Sequence, residues 1–154
     1  VSGREGFTLV ETIISMTIFC FIFSAVLVLQ SSGFSFYVKV NNKVEVEENL
    51  RIALARMSRN IREANSVCSV ADNPPKIEIT PAAGNDVYGY RYDVSGREIE
   101  ESIGGAYLPI ASHITFLELE YAQDGRTVSI TVKGEKGNSG VVEISTKVLL
   151  RVMS

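Results

Sequence analysis

One carboxylate at the head of a long apolar run constrains this chain more than any other feature. Glu11 follows Gly6-Phe7-Thr8-Leu9-Val10, and from Ile13 to Leu29 only Ser15, Thr17 and Ser24 interrupt the apolar residues. Phe7 to Leu29 is 23 residues, roughly 34 Å as a helix at ~1.5 Å per residue. That length crosses a hydrocarbon core of ~30 Å. The three hydroxyls do not break such a span, because each can bond back to a carbonyl of its own helix. Glu11 has no such escape. An acidic side chain at the centre of a membrane helix costs about 2.5–3.5 kcal/mol on insertion scales, so it marks a functional position.

Three ordinary readings of the run compete. A signal anchor accounts for the apolar residues but not for Glu11. A secretory signal peptide cut after Ser31-Ser32-Gly33 has small residues at the cleavage point. Its basic end is poor, however, with Arg4 offset by Glu5 and Glu11, and the run exceeds the usual apolar core of about 7–15 residues. A lipoprotein signal needs small residues before Cys20, where Thr17-Ile18-Phe19 stand.

Beyond that span the 154 residues leave room for one modest domain. The net charge of −3 is unevenly distributed. Residues 39–66 hold six Lys/Arg against four Asp/Glu, and residues 67–154 hold eight against twelve. An acidic outer domain is a poor partner for DNA, where phosphate neutralisation dominates affinity. No nucleic-acid partner is expected for this subunit alone. Cys20 and Cys68 are 48 residues apart, roughly 70 Å along a continuous helix, too far for an intrachain disulfide.

After Leu29 the segment Gln30-Ser31-Ser32-Gly33 marks the membrane exit, and Phe34, Phe36 and Tyr37 suit an interfacial belt. Val44, Leu50, Leu54, Met57, Ile61 and Ala64 recur at mostly helical steps and predict an amphipathic helix whose arginines (Arg51, Arg56, Arg59, Arg62) face solvent. Asn65-Ser66 and Pro74-Pro75 close it. The remainder predicts strands at 76–80, 87–94, 97–102, 115–121, 127–133 and 141–152, with residues 103–112 as a connection and Leu117, Leu119 and Tyr121 inward. In the final strand Val142, Ile144, Val148, Leu150 and Val152 share a phase. A helix followed by antiparallel strands is an α+β arrangement, with the helix stripe covering the sheet. The expected divisions are a leader (1–6), an apolar helix (7–30), its amphipathic continuation (31–66) and a sheet domain (67–154).

No catalytic, metal or cofactor constellation is legible. His113 has no second histidine or cysteine near it in sequence. Asp86, Asp93 and Asp124 lack the close spacing of a calcium loop. Lys133 and Lys136 flank a glycine-rich loop with no strand-to-helix phosphate context. Glu98, Glu100 and Glu101 read as a charged, exposed strand edge. Tyr88, Tyr90 and Tyr92 alternate onto one face, either a stacking platform for a sugar or base or a sheet face covered by the helix or a neighbouring subunit.

The string Gly6-Phe7-Thr8-Leu9-Val10-Glu11 before an apolar helix resembles the processing site of type IV prepilins and pseudopilins. The resemblance implies a pilin-like fold, cleavage between Gly6 and Phe7, and N-methylation of the new amine on Phe7, both by a prepilin peptidase/methylase. It also implies that Glu11 meets the N-terminal amine of a neighbouring subunit. Asn49 to Ala64, Tyr90-Arg91-Tyr92-Asp93, the strand from Phe116 to Tyr121 and the closing Val148-Leu149-Leu150-Arg151 are similar to PilW-like and J-type minor pilins. On that basis the chain is expected to be a non-catalytic subunit of the cytoplasmic membrane, its outer domain extracytoplasmic. It would then enter a filament, initiating or capping a type IV pilus or a type II secretion pseudopilus. The implied partners are other major and minor pilins or pseudopilins, the inner-membrane assembly platform and membrane lipid. A tip adhesin or DNA-receptor module of a type IV or competence pilus, using the tyrosine face, is the alternative. Three features depart from the pattern. Val28 stands where many major pilins carry a kinking proline, no cysteine-bounded C-terminal loop is present, and the chain is shorter than typical J-type pseudopilins.

Overall fold

The computed structural model describes residues 8–81, 87–123 and 125–151, with only the backbone of Cys68. One helix, α1 (Leu9–Arg62), precedes eight strands: β1 (Ala64–Asp72), β2 (Pro75–Pro81), β3 (Tyr88–Asp93), β4 (Glu98–Ile103), β5 (Ala106–Ala111), β6 (Ile114–Tyr121), β7 (Thr127–Gly134) and β8 (Val142–Leu149). The chain divides into two compact units, Val1–Val38 and Lys39–Ser154.

In the first unit every described residue but Val38 is exposed, and α1 is long and apolar enough to cross a membrane. The hydroxyl groups fold back as expected. Thr17 Oγ1 donates to the Ile13 carbonyl at 2.8 Å and Ser24 Oγ to that of Cys20 at 2.7 Å, so neither presents an unsatisfied group to an apolar surrounding. The Phe19 and Phe23 rings stack at 6.0 Å one turn apart.

In the second unit α1 buries Val46, Leu50, Ala53, Leu54, Met57 and Ile61. This is one stripe at helical spacing, and it fixes which way the helix faces. Val44, expected in that stripe, is exposed, and Val46 lies in the stripe's phase. The helix stops at Arg62, whose carbonyl accepts the Arg151 N–H at 3.1 Å. The exit of the last strand thereby satisfies one of the carbonyls left over at a helix end.

All pairings are antiparallel, in a five-stranded sheet of order β1-β2-β3-β4-β5 and a three-stranded sheet β6-β7-β8. Ile77, Ile79, Tyr90 and Ile99 of the first sheet and Ile114, Leu117, Val128, Ile130, Val132 and Val148 of the second join the helix stripe in one core. This is an α+β, pilin-like architecture. Away from that core the five-stranded sheet is dressed with charge. Lys76 pairs with Glu78 at 2.6 Å, and the Arg91 guanidinium lies 4.0 Å from the Tyr107 ring centroid.

Several local expectations change. Residues 64–72, read as the end of the helix and a loop, form β1. Its pattern is concealed because register shifts at Ala64/Ser66 and Val67/Ser69 break the period of two, bringing Val67 and Val70 to the same core although they are three apart. Residues 106–111, read as connection, form β5; Pro109 and a shift beside Ile99 disguise it. Tyr121 is exposed rather than inward, its hydroxyl donating to the Gly125 carbonyl at 2.7 Å. Glu98, Glu100 and Glu101 do not form an edge. Strand β4 is flanked by β3 and β5, and Glu101 is buried.

Gly134 ends β7 where it meets the helix. A Cβ there would fall 2.9 Å from both the His113 carbonyl oxygen and Val46 Cγ1. The first obstacle is backbone and cannot turn aside. Gly134→Ala is therefore expected to destabilise the second unit by about 1–3 kcal/mol through overpacking. A melting curve of the full chain in detergent matching the parent would refute this.

Candidate processing and assembly site

The site named by the sequence begins outside the described residues: Gly6 and Phe7 both lie there. Glu11 is described, and its geometry adds something the sequence reading did not use. Thr8 is the residue before the first helical position. Its hydroxyl accepts the Glu11 N–H at 3.3 Å, while the Glu11 carboxylate accepts the Thr8 N–H at 3.4 Å. The bonds are long but reciprocal, and they form a capping box. The Thr-x-x-Glu spacing was the available signal. A carboxylate at this position also lies favourably in the positive end of the helix dipole. Glu11 is exposed, as are its apolar neighbours Leu9, Val10, Ile13 and Ile14.

The tyrosines do not make a platform. Tyr90 is 0% exposed, and Tyr88 and Tyr92 are half-buried against the core. Their face is the one turned toward the helix stripe, because Tyr90 pairs in register with the core residue Ile77 on one side and with Glu101 on the other. Tyr92 donates to the Ile114 carbonyl at 3.2 Å.

What the tyrosine face does hold is a buried polar cluster. Tyr90 Oη donates to Glu101 Oε1 at 2.7 Å. Asn60 Nδ2 donates to Tyr90 Oη at 2.6 Å and reaches Glu101 Oε1 at 3.2 Å. Arg56 closes a two-pronged contact, with Nε 3.1 Å from Oε1 and a terminal nitrogen 2.6 Å from Oε2 of Glu101. Arg56 was expected to face solvent and is exposed, but its guanidinium also joins Asn60 in clamping the helix to β3 and β4. Sequence reading had no access to this, since the partners lie 41 and 45 residues apart and follow no local period.

Burial, and then the bond to Glu101, raise the pKa of the Tyr90 hydroxyl well above its ordinary value. Above about pH 10 the unfolded chain releases this proton while the folded chain keeps it, so folding stability falls as pH rises. The loss is about 1.4 kcal/mol per pH unit for that one group. Tyr90→Phe is expected to remove one proton from the alkaline unfolding slope, read from denaturant midpoints at successive pH values. An unchanged slope would place the hydroxyl in water.

His113 Nε2 lies 3.7 Å from Glu45 Oε1, and the same carboxylate oxygen pairs with Lys136. Hydrogen bonding from Lys136 comes first among the causes that lower the Glu45 pKa. This trio ties α1 to the β5–β6 and β7–β8 connections. Among the described residues no group of three or more His, Cys, Asp or Glu is arranged to hold a metal.

Residues 2–27 match a family model described as the prokaryotic N-terminal methylation motif. That match spans Arg4, Glu5, Gly6, Phe7, Glu11 and most of the apolar run. No curated protein and no solved structure matches the chain. The motif and the fold together support the type IV pilin and pseudopilin class.

Proposed function

We propose that this chain is a minor pilin or pseudopilin, a non-catalytic structural subunit that initiates or caps a type IV pilus or a type II secretion pseudopilus. The methylation motif over residues 2–27 carries the reading, because it overlaps the start of a helix whose described apolar side chains from Leu9 to Tyr37 are exposed. Cleavage between Gly6 and Phe7 leaves a new amine on Phe7, which is then methylated. The chain waits in the cytoplasmic membrane with its outer domain extracytoplasmic, and its helix passes from lipid to the packed helices of the filament. Glu11 meets the amine of a neighbour there, two charges that are each costly in an apolar medium and offset one another when paired. The adhesin or DNA-receptor alternative rested on the tyrosine face and loses its main support with Tyr90 in the core.

Mass spectrometry of the native N-terminus tests the processing directly. A chain beginning at methylated Phe7 is the expected result. A terminus near Phe34 would mean ordinary signal cleavage and overturn the reading.

A further inference from the structure

The five-stranded sheet has a second face, turned away from the helix stripe, and one row across it is built unlike the others. Glu78, Gly89, Ser102 and Tyr107 are successive register partners on β2, β3, β4 and β5. Gly89 stands between Tyr88 and Tyr90, which pack in or against the core, so alternation puts the row on the opposite face. It reads acid, no side chain, hydroxyl, aromatic. Tyr107 reaches back along the row, because a Cβ at Gly89 would fall 3.0 Å from the Tyr107 Oη. Glycine at this position is what lets the ring lie across the sheet.

Arg91 backs one side of the ring, its guanidinium 4.0 Å from the centroid and itself paired with Glu100. Tyr107 also lines a cavity of about 470 Å³ to which Arg91 contributes nothing, so the cavity meets the ring on its other side. That volume falls within the ~300–1,000 Å³ of small-molecule clefts. Gly89 and Ser102 lie beneath it, with Val87 and the Gly104-Gly105 turn across from the ring. Lys76 and Glu78 are the only charged side chains on its walls, and they are paired at 2.6 Å. The site therefore carries no net charge. Ser102 is 4% exposed, and its Oγ accepts the Gly105 N–H at 3.2 Å. Among the described residues its own proton has no acceptor. A buried hydroxyl on a cavity wall with an unspent proton is a donor available to a ligand. Covering Gly89 accounts for where the ring lies, but not for the open cavity or for this donor.

We propose that this cavity binds a neutral pyranose, with its C–H face on the Tyr107 ring. Charge selects against the alternatives. An anion meets the Glu78 carboxylate, a cation meets the Lys76 ammonium, and neither gains from a site whose charges already cancel. A sugar asks for something else. Its neighbouring hydroxyls are each donor and acceptor, and they match an ammonium and a carboxylate held side by side, while a further sugar oxygen accepts the Ser102 proton. Its apolar face covers the ring, which Arg91 holds in place. The site is on the face opposite Tyr88, Tyr90 and Tyr92, and it does not depend on the chain's place in a filament.

The full chain is titrated with methyl glycosides of glucose, galactose, mannose and N-acetylglucosamine, in a polyoxyethylene detergent whose head group carries no sugar. Saturation-transfer NMR reads the contact. At least one glycoside is expected to bind with a dissociation constant on the order of millimolar, with the strongest transfer to the C–H protons of one face. Tyr107→Phe keeps the ring and should bind as the parent does, whereas Tyr107→Leu should bind about tenfold more weakly. Val87 is 41% exposed, so Val87→Phe should fill the cavity without disturbing the fold, and it keeps the test decisive if the leucine variant misfolds. The constant should not change between about 0.05 and 0.5 M sodium chloride, because no net charge is involved. Lactose and cellobiose separate the sources: tighter binding than the methyl glycosides marks a glycan chain, and weaker binding marks a free sugar. No glycoside binding up to about 50 mM, or binding that survives both Tyr107→Leu and Val87→Phe, would overturn the proposal. So would tighter binding of inorganic phosphate or of free lysine than of any glycoside.

Discussion

Glu11→Ala is expected to leave a folded, membrane-inserted protein that is all but absent from filaments, a loss of at least tenfold in incorporation. Two functions of the carboxylate must be separated to read that result. In the isolated chain Glu11 closes a capping box with Thr8, and losing a cap costs about 0.5–2 kcal/mol, confined to the first turn. In the proposed assembly it is the only acidic or basic side chain between Glu5 and Lys39, and pairing with a neighbour's amine depends on that charge. Glu11→Gln distinguishes the two. Glutamine at this position of a capping box serves as glutamate does, but it is neutral. Both variants should therefore fail to incorporate, while only the alanine variant loosens the helix start, visible as faster amide exchange at Leu9 to Glu11. Filaments containing Glu11→Gln at the parent level would reduce the residue to a helix cap.

The parts of this molecule that were legible in its sequence are those whose stabilisation is local and periodic. Strand β7 shows Val128, Ile130 and Val132 at a strict period of two, and all three are buried in the strand where they were expected. The helix stripe through Leu50, Leu54, Met57 and Ile61 was equally plain, and so was the apolar span before it. Strands β1 and β5 were concealed because each carries a shift that displaces the pattern by one residue; in β1 this brings Val67 and Val70 to one face. A search for alternation must fail there, since the physical regularity lies in the partner strand. The core position of Tyr90 was hidden for another reason. Alternation showed that three tyrosines share a face, but nothing local says which face the helix covers. That depends on contacts made across 30 or more residues, such as the bond from Asn60 to Tyr90. The site itself divides in the same way. Its motif was readable as a string, whereas the reciprocal bonds of Thr8 and Glu11 are a property of the folded turn.

Among substitutions within the core, Glu101→Ala is expected to be the most damaging, costing about 2–4 kcal/mol. Removing one partner of a buried pair ordinarily costs about 3–5 kcal/mol, because the other charge is left without its match. Here the figure is lower, since the Arg56 side chain is 47% exposed and can turn to water while Glu101 is only 5% exposed. The same asymmetry ranks the variants. Arg56→Ala leaves the carboxylate held by Tyr90 and Asn60, though buried without a cation. Its cost should be smaller than that of Glu101→Ala, which leaves the Tyr90 O–H without its acceptor inside the core as well as opening a void. Glu101→Gln keeps the shape and one acceptor and should fall between the parent and Glu101→Ala. The partners act as one network, so the double variant Arg56→Ala/Glu101→Ala should be less destabilised than the two single losses added together. Denaturant midpoints of the full chain in detergent supply all four values. Strict additivity, or a larger loss for Arg56→Ala than for Glu101→Ala, would show that the cluster does not hold the helix to β3 and β4.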